Sequence, residues 1–221
     1  MEGLHMGITD RIYSKIEKHA VKISFALALI LASVVTLGAC RRADEASRAE
    51  LQAHLAQEVL RFHVLANSDA GADQEQKLAV RDAAIAYMER NMPDVSDSGE
   101  AKEWVRSHTD EIEEVSREAA AAAGEDYPVS AAVTTCWFPE KSYGDVTFPE
   151  GNYEALRIEI GAARGHNWWC VLYPSLCFLD TAHAVVPEEG KEKLKNVLTE
   201  EEYSRITAET EFEIGWFFWQ R

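Results

Sequence analysis

Basic residues are scarce in this chain, and the shortage excludes one large class of partners. Its 221 residues include 22 lysines and arginines against 38 aspartates and glutamates, a formal net charge of −16. Residues 41–221 alone carry a net charge of −17. A body this acidic is repelled by phosphate backbones, so we expect no nucleic-acid partner. An anionic lipid surface would repel it too, unless something anchors it.

Sequence motifs for phosphate, cofactor and metal chemistry are also missing. There is no Walker loop, no dinucleotide-binding glycine fingerprint and no Gly-x-Ser-x-Gly elbow. The histidines are scattered, and no pair has zinc-type spacing with a cysteine. We therefore predict no metal site and no cofactor. The seven histidines stand at positions 5, 19, 54, 63, 108, 166 and 183.

One long apolar run is present, at residues 23–39, and basic residues precede it. This order is typical of an export signal or anchor whose N-terminus stays in the cytoplasm. The run is slightly long for a cleaved signal and slightly short for a membrane span. It ends in Leu-Gly-Ala-Cys at residues 37–40, which resembles a lipobox. A retained anchor, ordinary cleavage and lipidation at Cys40 therefore stay open, and all three place residues 41–221 outside the cytoplasmic membrane.

These features divide the chain into four parts. Residues 1–22 form a basic cytoplasmic n-region, and residues 23–40 a signal peptide or transmembrane anchor. Residues 41–57 are rich in alanine and charge, which predicts a helical stalk. The remainder, residues 58–221, is expected to be one globular domain.

Hydrophobic periodicity places the first elements of that domain. The short apolar run at residues 59–65 predicts a buried strand, and Ser68 and Asp69 are candidate caps of the helix that follows. Helices are predicted over residues 73–90 and 100–123. The inner face of the first is expected to carry Leu78, Ile85 and Met88.

Period-two patterns then predict further strands. Residues 129–133 and 154–160 alternate between apolar and polar, and we expect them to pair antiparallel across a long connection. Residues 168–173 predict a fully buried strand, and residues 191–206 a helix interrupted by a capping box at Thr199. The C-terminal tail could add a last strand. The fold class is α+β, with helices packed on a mostly antiparallel sheet.

The first stretch that could carry function lies at the first strand. Arg61 and His63 share one face of it, and Asn67, Ser68 and Asp69 follow its C-terminal end. A cation and an imidazole beside polar groups would make a site. The structural alternative is that Arg61 pairs with a carboxylate and the triplet is only a turn and a cap.

The second stretch, residues 161–180, holds two tryptophans and two cysteines. A cysteine nucleophile needs a base and an orienting group, and His166 or His63 could serve Cys170 as base. No spacing matches a known cysteine hydrolase, however. Because the intervening Tyr-Pro-Ser can turn the chain back, we predict a Cys170–Cys177 disulfide, with isolated buried cysteines as the alternative. The pairing of Cys136 stays open, since three exported cysteines cannot all pair within one chain.

Three blocks of the sequence resemble the stage II sporulation protein R family of endospore-forming bacteria. They are RFHVLANSDAGADQEQKLAVRDA (61–83), YGDVTFPEGNYEALRIEIG (143–161) and GHNWWCVLYPSLCFLD (165–180). The resemblance covers roughly residues 55–182, with the blocks in the family's order. The N-terminal apolar segment and the acidic body also fit.

The resemblance implies a signalling protein and not an enzyme. Such proteins are made in the forespore and exported into the space between the septal membranes, either secreted or anchored, here through residues 23–39. There they activate a membrane-embedded aspartic protease, which processes pro-sigma-E. An extracytoplasmic thiol- or histidine-dependent hydrolase is the alternative.

By the same resemblance, the matching positions form a candidate partner-binding surface. If its tryptophans are exposed, they would be interface anchors. If they are buried, they would determine the fold. The surface consists of Arg61, His63, Asn67, Ser68, Asp69, His166, Asn167, Trp168 and Trp169.

Overall fold

A computed structural model describes residues 6–174 and 188–208, with side chains described over residues 19–174 and 190–207. The chain divides into two units, residues 1–49 and 50–221. The first element, α1 (Met6–Glu58), is one continuous helix that includes the predicted stalk.

The apolar part of α1 has the properties of a membrane-spanning helix. An 18-residue window of it has a mean hydropathy of 2.4, and none of that window is buried. By length and composition it could cross a membrane, and a signal sequence would show the same properties. The helix therefore fits a signal or membrane anchor, while cleavage and lipidation at Cys40 stay predictions.

After α1, one strand is followed by three helices, then by five strands and two further helices. In chain order they are β1 (Leu60–Leu65), α2 (Gly71–Asn91), α3 (Ser98–Ser107), α4 (Thr109–Ala123), β2 (Val129–Phe138), β3 (Lys141–Tyr143), β4 (Val146–Phe148), β5 (Gly151–Ile160), β6 (Asn167–Tyr173), α5 (Glu188–Val197) and α6 (Glu200–Ala208).

Four strands form the main sheet, in the order β2-β5-β1-β6. β2 pairs antiparallel with β5, as predicted, and β6 pairs antiparallel with β1. Strands β1 and β5 are parallel, with Arg61 opposite Ala155 and Leu65 opposite Glu159. The short strands β3 and β4 form a separate antiparallel pair. The α+β class is confirmed, with one parallel pairing inside a mostly antiparallel sheet.

The two faces of the sheet bury separate apolar clusters. On the first, Phe62, Val64 and Ile158 pack with residues of α2, α3 and α4, including Met88 and Val105. We call this the helix face. On the other, which we call the cage face, β5 and β6 pack with the end of α1, the β3–β4 pair, α5 and α6. Because side chains alternate along a strand, β1 contributes to both faces.

Several local predictions are confirmed. The expected elements at residues 59–65 and 73–90 are β1 and α2. The capping box separates α5 from α6: the Thr199 backbone N–H donates to Glu202 at 2.9 Å, and the Glu202 N–H donates to the Thr199 hydroxyl at 3.2 Å. The predicted strand in the C-terminal tail lies outside the described residues.

Other local predictions are wrong. The helix expected over residues 100–123 is broken at His108, which has φ −116° and ψ 20°. The N-cap of α2 is Ala70, without a side-chain cap, and not Ser68 or Asp69. Of the residues predicted on the inner face of α2, Leu78 is exposed, whereas Met88 is buried and Ile85 is partly buried. β6 is only half-buried in its first three residues.

Candidate functional site

Two loops meet where β1 and β5 end. The loop after β1 begins at Ala66, and the loop after β5 ends at His166. The Gly165 N–H donates to the Ala66 carbonyl at 2.9 Å, and the Arg164 N–H donates to the Asn67 carbonyl at 3.2 Å. Because β1 and β5 are parallel, their carboxyl ends lie at the same edge of the sheet, and the predicted triplet 67–69 meets the predicted segment at 166.

Two glycines permit this close approach. Gly161 has φ +57°, and a Cβ there would come within 2.4 Å of Asn67 Oδ1. A Cβ on Gly165 would come within 2.2 Å of the Ser68 carbonyl oxygen. Both distances are shorter than any contact between non-bonded carbon and oxygen atoms, so larger residues would push the loops apart.

Asp73 in the first turn of α2 holds the triplet from inside. Its Oδ2 accepts from Asn67 Nδ2 at 2.8 Å and from the Ser68 hydroxyl at 2.5 Å. The hydrogen bonds from Ser68 and then Asn67 lower the pKa of Asp73 below its usual value. Asn67 Oδ1 also accepts from the Ala162 N–H at 2.9 Å, so one amide side chain ties both loops to the helix.

The outer rim of the junction is the pair Asp69 and His166. Asp69 Oδ1 accepts from the His166 backbone N–H at 2.6 Å and is also bonded to His166 Nδ1. These bonds to the side chain and the backbone of His166 lower the pKa of Asp69. The side chains stay 57% and 82% exposed, so a fixed pair of opposite charge can be reached by a partner once the imidazole is protonated.

Lys77 of α2 stabilises this rim by hydrogen bonds. Its ammonium donates to the His166 carbonyl at 3.0 Å and to Gln74 Oε1 at 2.6 Å. Burial lowers the pKa of Lys77. We call the set Asn67, Ser68, Asp69, Asp73, Lys77 and His166 the loop cluster.

Trp168 lies next to the loop cluster on the helix face. It is opposite Val64 in the β1–β6 register, and its ring meets Phe62 edge-on at 5.4 Å. The Arg81 guanidinium lies 5.2 Å from the centre of the same ring. Trp168 is half-buried, so it both packs into the core and borders the exposed rim.

Arg61 lies on the cage face and is fully buried. Its Nε donates to the Cys170 carbonyl at 3.1 Å, and its Nη2 donates to the Tyr143 hydroxyl at 3.1 Å. Among the described residues it has no carboxylate partner, so the expected ion pair is not found there. Instead its guanidinium lies within 6 Å of four aromatic ring centres, a cation–π cage. The rings are those of Phe138 at 4.4 Å, Tyr153 at 5.0 Å, Phe148 at 5.2 Å and Tyr143 at 5.8 Å.

His63 continues the cage face toward the strand end. Its ring stacks on Trp169, with centroids 4.9 Å apart and an interplanar angle of 20°. Its Nε2 lies 3.4 Å from Cys136 Sγ. Burial, with Arg157 and Arg61 nearby, lowers the pKa of His63 to about 3, while burial raises that of the Cys136 thiol. Both groups are therefore neutral near pH 7, the wrong state for a thiolate–imidazolium nucleophile.

Cys170 is separated from either candidate base. It is buried and lies opposite Phe62 in the β1–β6 register, so it shares the helix face, whereas His63 lies on the cage face. His166 is turned to solvent at the loop cluster. Cys177 lies outside the described residues, so the predicted disulfide stays a prediction.

The predicted surface is thus divided between two locations. The loops hold Asn67, Ser68, Asp69 and His166, with Trp168 adjacent on the helix face. The register places Arg61, His63, Asn167 and Trp169 on the cage face. Sequence reasoning missed the roles of Asp73, Lys77 and Cys136, although the glycines at 161 and 165 are a signal for tight turns that could have located the junction. Within the described part of the chain, no group of three His, Cys, Asp or Glu side chains could hold a metal.

Comparisons with known proteins give a consistent result. The family model for stage II sporulation protein R matches residues 56–183. Stage II sporulation protein R of Bacillus subtilis (strain 168) is 37% identical over 156 residues, which cover 70% of this chain and 69% of that protein. Neither name denotes a catalytic activity. No solved structure matches the chain.

Proposed function

Because the chain belongs to the stage II sporulation protein R family, we propose that it is an intercellular signal of endospore formation. In this proposal it activates a membrane-embedded aspartic protease, which then removes the inhibitory pro-sequence of sigma-E. The observation that carries the proposal is the family match over residues 56–183, which contains the six strands of the described residues and the whole loop cluster.

The site of action is the space between the two septal membranes. The apolar part of α1 supplies an export signal or an anchor. The remainder is strongly acidic, so it would stay off an anionic membrane surface except where α1 holds it. The chain could then reach a partner embedded in the facing membrane without entering the mother cell.

The protein acts in this proposal by contact and not by catalysis. Its one described thiol–imidazole contact, His63 with Cys136, is buried and neutral. The exposed His166 is engaged by Asp69, with no nucleophilic side chain bonded to it among the described residues. Binding needs a rigid, exposed and polar surface, and the rim of the loop cluster, Asp69 with His166, provides one.

Within that surface, Asp69 and His166 are the proposed protease contacts, and Trp168 with Arg81 forms its border. The backbone bonds between the loops fix these side chains before any partner arrives, so little conformational entropy is lost on binding. On the cage face, Arg61, His63 and Trp169 are buried or half-buried and are proposed to support the strands.

Reconstitution tests the proposal. The full chain is produced in a non-sporulating host together with the cognate protease and pro-sigma-E, and processing is read from sigma-factor mobility on a gel. Processing that depends on this chain is expected. A folded, exported chain that leaves pro-sigma-E intact beside a folded, membrane-inserted cognate protease would refute it.

The same assay tests the contact surface. Asp69→Ala and His166→Ala are expected to reduce processing with little loss of folded protein, because both side chains are exposed. Asp110→Ala, an exposed carboxylate at the start of α4, removes the same charge away from the loops and should process normally. If all three variants behave alike, the loop cluster is not the contact.

A further inference from the structure

β2 is an edge strand of the main sheet with an unusual composition. It is ten residues long, VSAAVTTCWF, and contains no charged residue, no proline and no glycine. Edge strands in soluble proteins are ordinarily protected by charges, prolines or bulges, because their unpaired backbone groups can recruit another strand. In a chain with a net charge of −16, ten uncharged residues along a sheet edge are unexpected.

The direction of its backbone groups can be read from one hydrogen bond. The Ala131 N–H donates to Glu113 Oε2 at 2.9 Å, so it points away from β5. Backbone groups alternate along an antiparallel strand, so those of Val133, Thr135 and Trp137 also point outward. No described residue accepts a hydrogen bond from the backbone N–H groups of Val133, Thr135 and Trp137. Glu113 blocks the edge at Ala131, which leaves three residues open.

Two of the three side chains of the open segment are also exposed, while Val133 is half-buried. Thr135 is exposed, and Trp137 is 54% exposed although it is the largest apolar side chain of the strand. An exposed tryptophan beside unpaired backbone donors is a ready contact for an added strand.

We propose that the β2 edge is a self-association surface that pairs with β2 of a second copy of this chain across a twofold axis. Because the open groups are centred on Thr135, the antiparallel register is set: Thr135 faces Thr135 of the partner, and Val133 faces Trp137 of the partner. Threonine pairs and aromatic–β-branched pairs stabilise antiparallel ladders, and no like charges oppose each other within the strands.

The absence of charge favours this edge over the charged surfaces of the molecule. Two bodies of the same high negative charge repel, and the repulsion is smallest where neither presents a charge. The residual repulsion makes the association salt-dependent: it strengthens as ionic strength rises from about 10 mM to about 150 mM, where the Debye length is about 8 Å.

Cross-linking tests the register. In the paired strands the two Thr135 Cα atoms are about 5.5 Å apart, within disulfide range, so the full chain carrying Thr135→Cys in detergent should form a covalent dimer under mild oxidation. The control is Ala132→Cys, also exposed on β2. Its two copies would lie about 20 Å apart in the same register and should not cross-link. Mass spectrometry identifies the linkage, because native cysteines are present.

Sedimentation equilibrium of the same detergent-solubilised chain tests the association itself. The wild-type chain should form a dimer that strengthens with salt. Thr135→Glu would place two carboxylates opposite each other at the centre of the paired strands, so this variant should be monomeric. Ala132→Glu should remain dimeric. Equal cross-linking at positions 132 and 135, or a wild-type monomer at tens of micromolar protein, would overturn the proposal. A dimer insensitive to Thr135→Glu would place the interface elsewhere and overturn it equally.

Discussion

The carboxylate of Asp69 binds the backbone N–H of His166 at 2.6 Å and the imidazole of the same residue, so one acidic side chain joins the loops after β1 and β5. Residues far apart in the sequence thereby form a single rim. Because these bonds affect the pKa of Asp69, that pKa reports directly on whether the two loops are joined.

Replacing His166 is expected to raise the pKa of Asp69. The side-chain bond from His166 is the largest cause of its lowered value, so His166→Ala, which keeps the backbone N–H, should return it part of the way to the ordinary range. A depressed carboxylate pKa contributes stability above the unfolded-state value, which is lost as pH falls through the folded-state value. Carbon-13 NMR of the side-chain carboxylate measures this. Asp73, held by Ser68 and Asn67, should not shift, and a shift there would mean that the variant disturbs the whole cluster.

Gly165→Ala should destabilise the fold by about 1–3 kcal/mol, because its Cβ would overlap the Ser68 carbonyl and force the backbone to move. Urea unfolding followed by tryptophan fluorescence measures the change. Gly71→Ala is the matched control: no atom lies within 4 Å of its Cβ, so it should be neutral or slightly stabilising. A neutral Gly165→Ala variant would show that the two loops are not tightly joined.

Protonation of His63 should destabilise the protein as pH falls. Its folded-state pKa of about 3 lies below the ordinary value of 6.5, so the stabilising contribution is complete above about pH 6.5 and is lost between there and about pH 3. At pH 5.5 the loss is about 1.4 kcal/mol. His63→Phe preserves the stacking on Trp169 and should remove this part of the pH dependence. Equal slopes between pH 7.5 and 5.5 for the two proteins would contradict the assignment.

The Arg61 cage should tolerate loss of charge better than loss of volume. Arg61→Ala leaves a cavity among four rings and is expected to cost about 2–5 kcal/mol in unfolding free energy. Arg61→Met fills much of the space without a buried charge and should cost less. Urea midpoints compare the two. Equal losses would show that the bonds to Cys170 and Tyr143, and not packing, are decisive.

A disulfide between Cys170 and Cys177 can be tested by reduction. If it forms in the exported protein, reductant and Cys170→Ser should each lower the free energy of unfolding by about 2–4 kcal/mol, and their effects should not add. Non-reducing mass mapping of the exported protein provides the direct readout. A wild-type chain unaffected by reductant would leave Cys170 as an isolated buried thiol.

Local patterns were sufficient where neighbouring residues determine structure. The apolar run at residues 59–65 became β1, and the Thr199 capping box separated two helices, since both signals lie within a few residues. The break at His108 was hidden because the apolar stripe continues through it. There the ring of His108 stacks on Trp104 at 4.1 Å, and the Thr109 hydroxyl donates to the Val105 carbonyl.

Non-local contacts explain what the sequence did not reveal about the site. Arg61 was expected to find a carboxylate, but it contacts rings from a distant stretch between Phe138 and Tyr153. Leu78 was placed inside, yet the inner surface at the start of α2 is occupied by Asp73, Gln76 and Lys77, which bond the loops and the end of α4. The parallel pairing of β1 with β5, which is itself a non-local contact, brings the two loops of the site together.

That pairing also governs when the domain can fold. β1 emerges early in synthesis, but both of its partner strands, β5 and β6, belong to the last third of the chain. Contacts between such distant segments form slowly, because a long loop must close before they contribute. β1 thus has no partner strand until Ile160, the last residue of β5, has been made. In the proposed export, a chain arranged in this way would remain threadable through a translocation channel and would complete its native sheet on the far side of the membrane.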